Sequence, residues 1–197
     1  MFTGLIEETG RWVGLRKSER AWKLRVAAER VLEGSRVGDS IACNGCCLTV
    51  VRVEDGFVTF DVLDETLYRT AFQWVQPKGL VNLERSLRAD GRFGGHCVTG
   101  HIDAVGVVKE SEARGANHYL RIEPPSAFLR YVVFKGSVAV EGVSLTVAEV
   151  DEVGFAVWLI PHTLKVTNLH ERCAGDKVNL EFDVLAKYTE QLLAKNG

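Results

Sequence analysis

Hydrophobic and polar residues alternate along much of this chain with a period of two, the spacing of strands that are buried on one face. Val58, Phe60 and Val62 alternate with Thr59 and Asp61, and the preceding run, 40–53, is rich in Ile, Val, Leu and Thr. The run reads as a strand, and Glu54-Asp55-Gly56 supplies a hairpin turn into the next. Residues 145–150, a turn across 151–154, and 155–160 repeat the signal. Short strands with turns at roughly 8–12-residue spacing predict small closed barrels and an all-β fold. Helical spacing is scarce. Residues 27–32 read as one short helix, and 125–131, with Pro at its start, as another. The last segment, 183–197, departs from the pattern: Val184, Leu185, Tyr188, Leu192 and Leu193 form an apolar stripe at helical spacing.

The chain also repeats itself. SIACNGCCLTV (40–50) lies over SVAVEGVSLTV (137–147) at an offset of 97, with six of eleven positions identical. The same offset carries Thr66-Leu67 onto Thr163-Leu164 and VNLE (81–84) onto VNLE (178–181). At an offset of 96, TGLIEETG (3–10) lies over TGHIDAVG (99–106). One offset held across separate blocks means two copies of one unit. RADGRFGG (88–95), rich in Gly and charge, marks the boundary. The expected organisation is a barrel over 1–90, a second over 91–182 and a terminal helix over 183–197. That helix must bury its stripe, either on its own barrel or against other copies. Self-association is favoured, because each barrel is complete without it.

The remaining totals exclude more than they identify. A hydrophobic content of 46%, 25% charged residues and a net charge of −2 fit a globular chain with no basic face for nucleic acid. No apolar run approaches the roughly 20 residues that span a bilayer. MFTGLIEETG lacks the basic start and apolar core of a signal peptide, so the expected location is the cytoplasm, where thiols stay reduced. Five cysteines, an odd number, suit a disulfide framework poorly.

The two copies can be read against each other. Ser40/Ser137, Thr49/Thr146, Thr66/Thr163 and Asn82/Asn179 are shared, as two equivalent polar pockets would require, although Thr is also simply a good strand residue. Cys47 corresponds to Ser144, His101 to Leu5, and Asp183 to Ser86. The thiol thus lies in one half of the sequence and the imidazole and carboxylate in the other, either as a division of labour or as drift. Cys43 and Cys46 form a C-x-x-C, but their counterparts are Val140 and Val143, which argues for small buried hydrophobes rather than zinc ligands. His96 and His101, near Cys97, complete no metal pattern, so no metal is expected. His118 and His170 read as exposed loop residues.

MFTG, NGCCLTV, GGHCVTGHI, EGVSLTV and the two VNLE strings resemble the riboflavin synthase family, over residues 1 to about 188. The resemblance implies a homotrimer of two six-stranded Greek-key barrels plus a C-terminal helix. It implies that each barrel binds one 6,7-dimethyl-8-ribityllumazine, between the N-terminal barrel of one subunit and the C-terminal barrel of its neighbour. The implied reaction is a dismutation: a four-carbon unit passes between two lumazines, giving riboflavin and 5-amino-6-(D-ribitylamino)uracil, with no cofactor. Association with lumazine synthase is a further implied possibility. Carried over by position, Phe2, Thr49 and Thr66 bind substrate in the first barrel, and Lys135, Ser144, Thr146, Ile160 and Thr163 in the second. Cys47, Ser40, His101, Asp183 and Asn82 fall on catalytic positions. His162 stands where the family often has Glu. A non-catalytic lumazine- or flavin-binding protein of the same fold is the alternative.

Overall fold

The computed structural model describes residues 1–19 and 21–194. Twelve strands form two closed barrels. The first contains β1 (Glu8–Lys17), β2 (Trp22–Ala27), β3 (Ser40–Cys43), β4 (Cys46–Glu54), β5 (Phe57–Val62) and β6 (Leu80–Arg85). Its order is β1-β2-β5-β4-β3-β6, every pair antiparallel: a Greek key. The second contains β7 (Ala104–Arg114), β8 (Asn117–Glu123), β9 (Ser137–Val140), β10 (Val143–Val150), β11 (Phe155–Leu159) and β12 (Lys177–Phe182), in the same cyclic order. Among the described residues there are three α-helices: α1 (Asp64–Arg69) and α2 (Pro161–Val166), each between the fifth and sixth strands of its copy, and α3 (Val184–Ala194).

Alternation sets which side chains fill each barrel. In β4, Cys46, Leu48 and Val50 are buried inside, while Cys47, Thr49 and Val51 face outward. In β10, Val143, Leu145 and Val147 are inside, and Ser144 and Thr146 outside. Register slips between Val50 and Arg52 and between Val147 and Glu149 fall at matched positions. Such bulges bend a sheet enough to close it.

The run 40–53, read as one strand, is two. Asn44 (φ 45°) and Gly45 (φ 80°) turn it back on itself, and Glu141 (φ 50°) and Gly142 (φ 80°) do so in the second copy. Two central residues with positive φ make the tight turn that matches strand twist. The segments read as short helices are 3-10 helices, one turn over Arg30–Leu32 and two over Ser126–Tyr131. His118, expected in a loop, lies on β8, half-buried, within 2.8 Å of Ser111 Oγ. His170 is exposed, in the short turn Asn168–Glu171.

The two hairpin turns abut at the centre of the molecule. A Cβ on Gly45 would lie 2.8 Å from the Gly142 nitrogen, and one on Gly142 would lie 2.6 Å from that of Gly45. Around them, the Asn82 side chain donates to the Glu141 carbonyl (2.9 Å) and accepts from the Asn168 amide (2.7 Å). Asn179 mirrors it, donating to the Asn44 carbonyl (2.9 Å) and accepting from the Ala71 amide (2.6 Å). Buried amides held by bonds that cross between barrels fix how the barrels sit.

Gly142→Ala is expected to lower unfolding free energy by about 3 kcal/mol or more, from backbone strain plus the clash across the junction. Gly56→Ala has a similar positive φ (73°) but meets nothing within 4 Å, and should lose only about 1 kcal/mol. Chemical denaturation measures both, and equal losses would show that the junction contact contributes nothing.

Candidate active site

The outward residues of β3 and β4 form a patch. Ser40 pairs across the strands with Thr49, and Ala42 with Cys47. The second copy pairs Ser137 with Thr146 and Ala139 with Ser144. Each patch is covered by the other copy's Thr-Gly segment. The Cys47 amide donates to the Gly100 carbonyl (2.8 Å), and the Ser144 amide to the Gly4 carbonyl (2.8 Å). A Cβ on Gly100 would strike Cys47 Cβ at 2.4 Å, and one on Gly4 would strike Ser144 Cβ at 2.6 Å. The segments then continue onto the foreign barrel: Ile102 packs on the first core and Ile6 on the second. His101 is exposed between Gly100 and Ile102, and Leu5 occupies the matching place. The imidazole encoded in the second copy therefore accompanies the thiol of the first.

Two glutamates hold this exchange in place. Glu84 accepts from the Thr3 amide and hydroxyl and the Gly4 amide, at 2.7, 2.9 and 3.0 Å. Glu181 accepts from the same groups of Thr99 and Gly100, at 2.6, 2.7 and 2.9 Å. Burial raises both carboxyls above the usual carboxylate range, with the hydrogen bonds pulling the other way. The signal for them was available: the Thr-Gly and VNLE strings recur together in both copies.

The other expected residues fall in several places. Ser40 opens on a cleft of about 770 Å³ lined also by Leu5, Arg85, Ser86 and Arg88, which does not take in Cys47 or Thr66. Thr66 and Thr163, half-buried, ride on α1 and α2, and exposed Ile160 immediately precedes α2. Exposed His162 is the second residue of α2; Glu65 in its place on α1 pairs with Arg69 at 2.8 Å, a partner His162 lacks because Val166 stands there. Phe2 has no exposed surface; its ring lies with Ala42, Val98, Ala139 and Cys47, so it supports the thiol from behind. Asn82 is equally buried, in the junction between barrels. Asp183 Oδ1 accepts from the Leu185 amide (3.0 Å) at the start of α3.

Lys135 is held at φ 65°, its amide donating to the Val147 carbonyl (2.9 Å), where the first copy has Gly38 at φ 96°. The opposite exchange, Lys78 (φ 69°) for Gly175 (φ 97°), occurs elsewhere, so strain alone does not mark a site. Lys135 differs from Lys78 in its place, since its amide bonds the strand residue that follows Thr146.

Cys43 and Cys46 are core residues, as their valine counterparts implied. Burial, and then the neighbouring thiol of Cys47, push Cys46 up to about 12. A thiol so buried is a poor thiolate. Among the described residues no three His, Cys, Asp or Glu side chains gather as a metal would need. No described helix is long and apolar enough to cross a membrane.

Like the two glutamates, His96 lies outside the expected binding and catalytic residues. His96 is buried with Nδ1 at 2.7 Å from Ser144 Oγ.

A lumazine binding domain model matches residues 3–86 and again 99–183. The riboflavin synthase of Actinobacillus pleuropneumoniae is 43% identical over 195 residues, covering 99% of this chain and 91% of that one. That of Mycobacterium bovis is 43% identical over the full length of both chains. A crystal structure of LumP complexed with flavin mononucleotide is 25% identical, with a TM-score of 0.82 over 92% of this chain and 99% of that chain. Repeat, barrel topology and full-length identity agree: the chain belongs to the riboflavin synthase family, with two lumazine binding domains.

Proposed function

We propose that the chain is a riboflavin synthase, a transferase that moves a four-carbon unit from one 6,7-dimethyl-8-ribityllumazine to another, giving riboflavin and 5-amino-6-(D-ribitylamino)uracil. The observation that carries the reading is the pair of equivalent patches, Ser40–Thr49 with Cys47 and Ser137–Thr146 with Ser144, on one chain. A reaction that consumes the same molecule twice needs two like pockets that treat it differently. Here they differ as thiol against hydroxyl, and as His101 against Leu5.

The acidic C7 methyl of one lumazine loses a proton, and the carbanion spreads over its ring. The partner lumazine is activated at C7 by a nucleophile. His101, exposed beside the Cys47 patch, is assigned proton transfer, and Cys47 and Ser40 orient or activate the acceptor. Thr49 and Thr66 hold one substrate; Lys135, Ser144, Thr146, Ile160 and Thr163 hold the other. Phe2 and Asn82 act from behind, and Asp183 at the start of α3. Holding two rings face to face replaces a bimolecular encounter, which can remove about 7 kcal/mol from a barrier.

The reacting pair would form between the N-terminal barrel of one chain and the C-terminal barrel of another in a homotrimer. Support comes from α3. Lys187 reaches Asp103 at 2.6 Å and Glu190 reaches Arg130 at 2.7 Å, tying the helix to its own barrel through charges. Leu185, Tyr188 and Leu193 are 65–68% exposed. Such an apolar face on a helix anchored by charge suits burial against other copies.

Three outcomes are expected. Purified protein should convert the lumazine to riboflavin, followed by fluorescence, and His101→Ala should lower kcat by about 100-fold with lumazine affinity changed less than about threefold. Binding without any product across a range of pH would instead favour the non-catalytic binder. Leu185→Glu with Tyr188→Glu should reduce the assembly to single chains in sedimentation and abolish turnover, with both barrels still folded. Lys135→Gly should leave stability within about 1 kcal/mol, because relief of strain and added chain entropy offset each other, while weakening lumazine binding in a titration.

A further inference from the structure

A cleft of about 560 Å³ opens at the junction between the barrels, and no residue of either patch lines it. Its walls are matched segments, 71–80 of the first copy and 171–177 of the second. At the offset of 97, Trp74, Val75 and Leu80 correspond to Glu171, Arg172 and Lys177. Equivalent turns thus supply one apolar, aromatic wall and one charged wall. Trp74 is 46% exposed. Such a volume, apolar on one side with a few polar groups on the other, suits a small planar ligand.

The charged wall carries groups that the fold does not use. Glu141 lines the cleft from its floor, 1% exposed, and its Oε1 accepts the Asn179 amide at 2.7 Å. Asn44 does the same for the Asn82 amide at 2.8 Å with a neutral carboxamide. The structural task therefore needs no carboxyl, and burying one costs free energy. Among the described residues the other oxygen, Oε2, has one long contact, 3.4 Å to Asn168 Nδ2. Arg172 Nε is buried with no partner, and among the described residues the guanidinium forms no hydrogen bond or ion pair. Burial raises the Glu141 carboxyl and the charge of Arg172 opposes it, so the two side chains are neighbours. An acceptor and a donor that share a cleft without bonding each other are both free for a third group.

We propose that this cleft is a binding site, separate from the two patches, for a planar heterocycle with an imide edge of the pyrimidinedione kind. The ring lies against Trp74, its N–H donates to Glu141 Oε2, and a flanking carbonyl accepts from Arg172. Such a ring offers a donor and an acceptor side by side, as the two unpaired groups require. The substrate and both products of the proposed reaction carry this ring. The cleft shares no residue with the patches, so the site stands or falls independently of the reaction.

The test titrates the full chain with 1-methyluracil, which keeps the imide N–H, with 1,3-dimethyluracil, which lacks it, and with ribitol, following heat and tryptophan fluorescence. 1-Methyluracil should bind and change the fluorescence; the other two should bind at least about tenfold more weakly. Arg172→Gln, Trp74→Ala and Glu141→Gln should each weaken 1-methyluracil about tenfold. Glu141→Gln should melt no lower than the parent, since a carboxamide already serves at Asn44. Arg172→Gln and Trp74→Ala should leave kcat and KM for the lumazine within about twofold. Equal binding of the two methylated uracils, or full affinity in both Arg172→Gln and Trp74→Ala, would overturn the proposal. So would a loss of turnover in Arg172→Gln as large as its loss of binding, because the cleft would then not be separate. Should Glu141→Gln fail to fold, the Arg172 and Trp74 variants decide. A chain that binds 1-methyluracil in the cleft but makes no riboflavin keeps this site and loses the reading of the reaction; turnover without binding in the cleft does the reverse.

Discussion

The contact between Gly45 and Gly142 governs the rest of the molecule. Two turns of positive φ approach so closely that neither can carry a side chain. Polar backbone brought this deep must be paired. The pairing is done by Asn82, Asn179, Asn168, Asn44 and Glu141, all at most 1% exposed. The Asn82 amide donates to Asn44 Oδ1 at 2.8 Å, and the Asn179 amide to Glu141 Oε1 at 2.7 Å. The two copies thus reach the same arrangement with a carboxamide in one and a carboxyl in the other. Burial raises the Glu141 carboxyl above its ordinary range, which a neutral amide in its place avoids.

Once the turns are back to back, the exchange of the Thr-Gly segments follows. Each turn exposes the amide of its outward strand residue, Cys47 or Ser144, to the neighbouring copy rather than to solvent. The carbonyls of Gly100 and Gly4 satisfy them. Phe2 and Val98, bridged through both amides at 2.7 and 3.2 Å, close the gap between the segments. Neither patch is complete in an isolated barrel. The positions of Leu5 and His101 therefore each lie beside the barrel to which the residue does not belong.

Much of this was legible in the sequence, and the losses have physical causes. Period-two alternation and the repeat identified two barrels, because a strand buried on one face has to alternate. Run 40–53 was read as one strand because the Asn-Gly turn is short and flanked by apolar residues on both sides. α1 and α2, six residues each, offer too few turns for a helical period to register. The exchange was hidden for another reason: matching copies reveals which positions correspond, not which barrel a position packs on. Cys43 and Cys46 were read correctly because valine at the matched positions answers a question about environment. His118 reads as loop because Gly115, Ala116 and Asn117 precede it, whereas Tyr119, Leu120 and Ile122 beyond it are buried strand residues.

The terminal helix links the junction to assembly. Glu7 in the first copy pairs with Arg85 of its own barrel at 2.6 Å, and also accepts the Arg85 amide at 2.7 Å. Asp103, its counterpart, accepts the amide of Phe182 at 2.8 Å, but Phe182 carries no charge; its ring stacks on Phe128 at 5.5 Å. The missing cation comes from Lys187 on α3. The second barrel has therefore exchanged an internal ion pair for one that fixes the direction of the helix. Asp183, which starts that helix, is also the carboxylate whose field reaches His96.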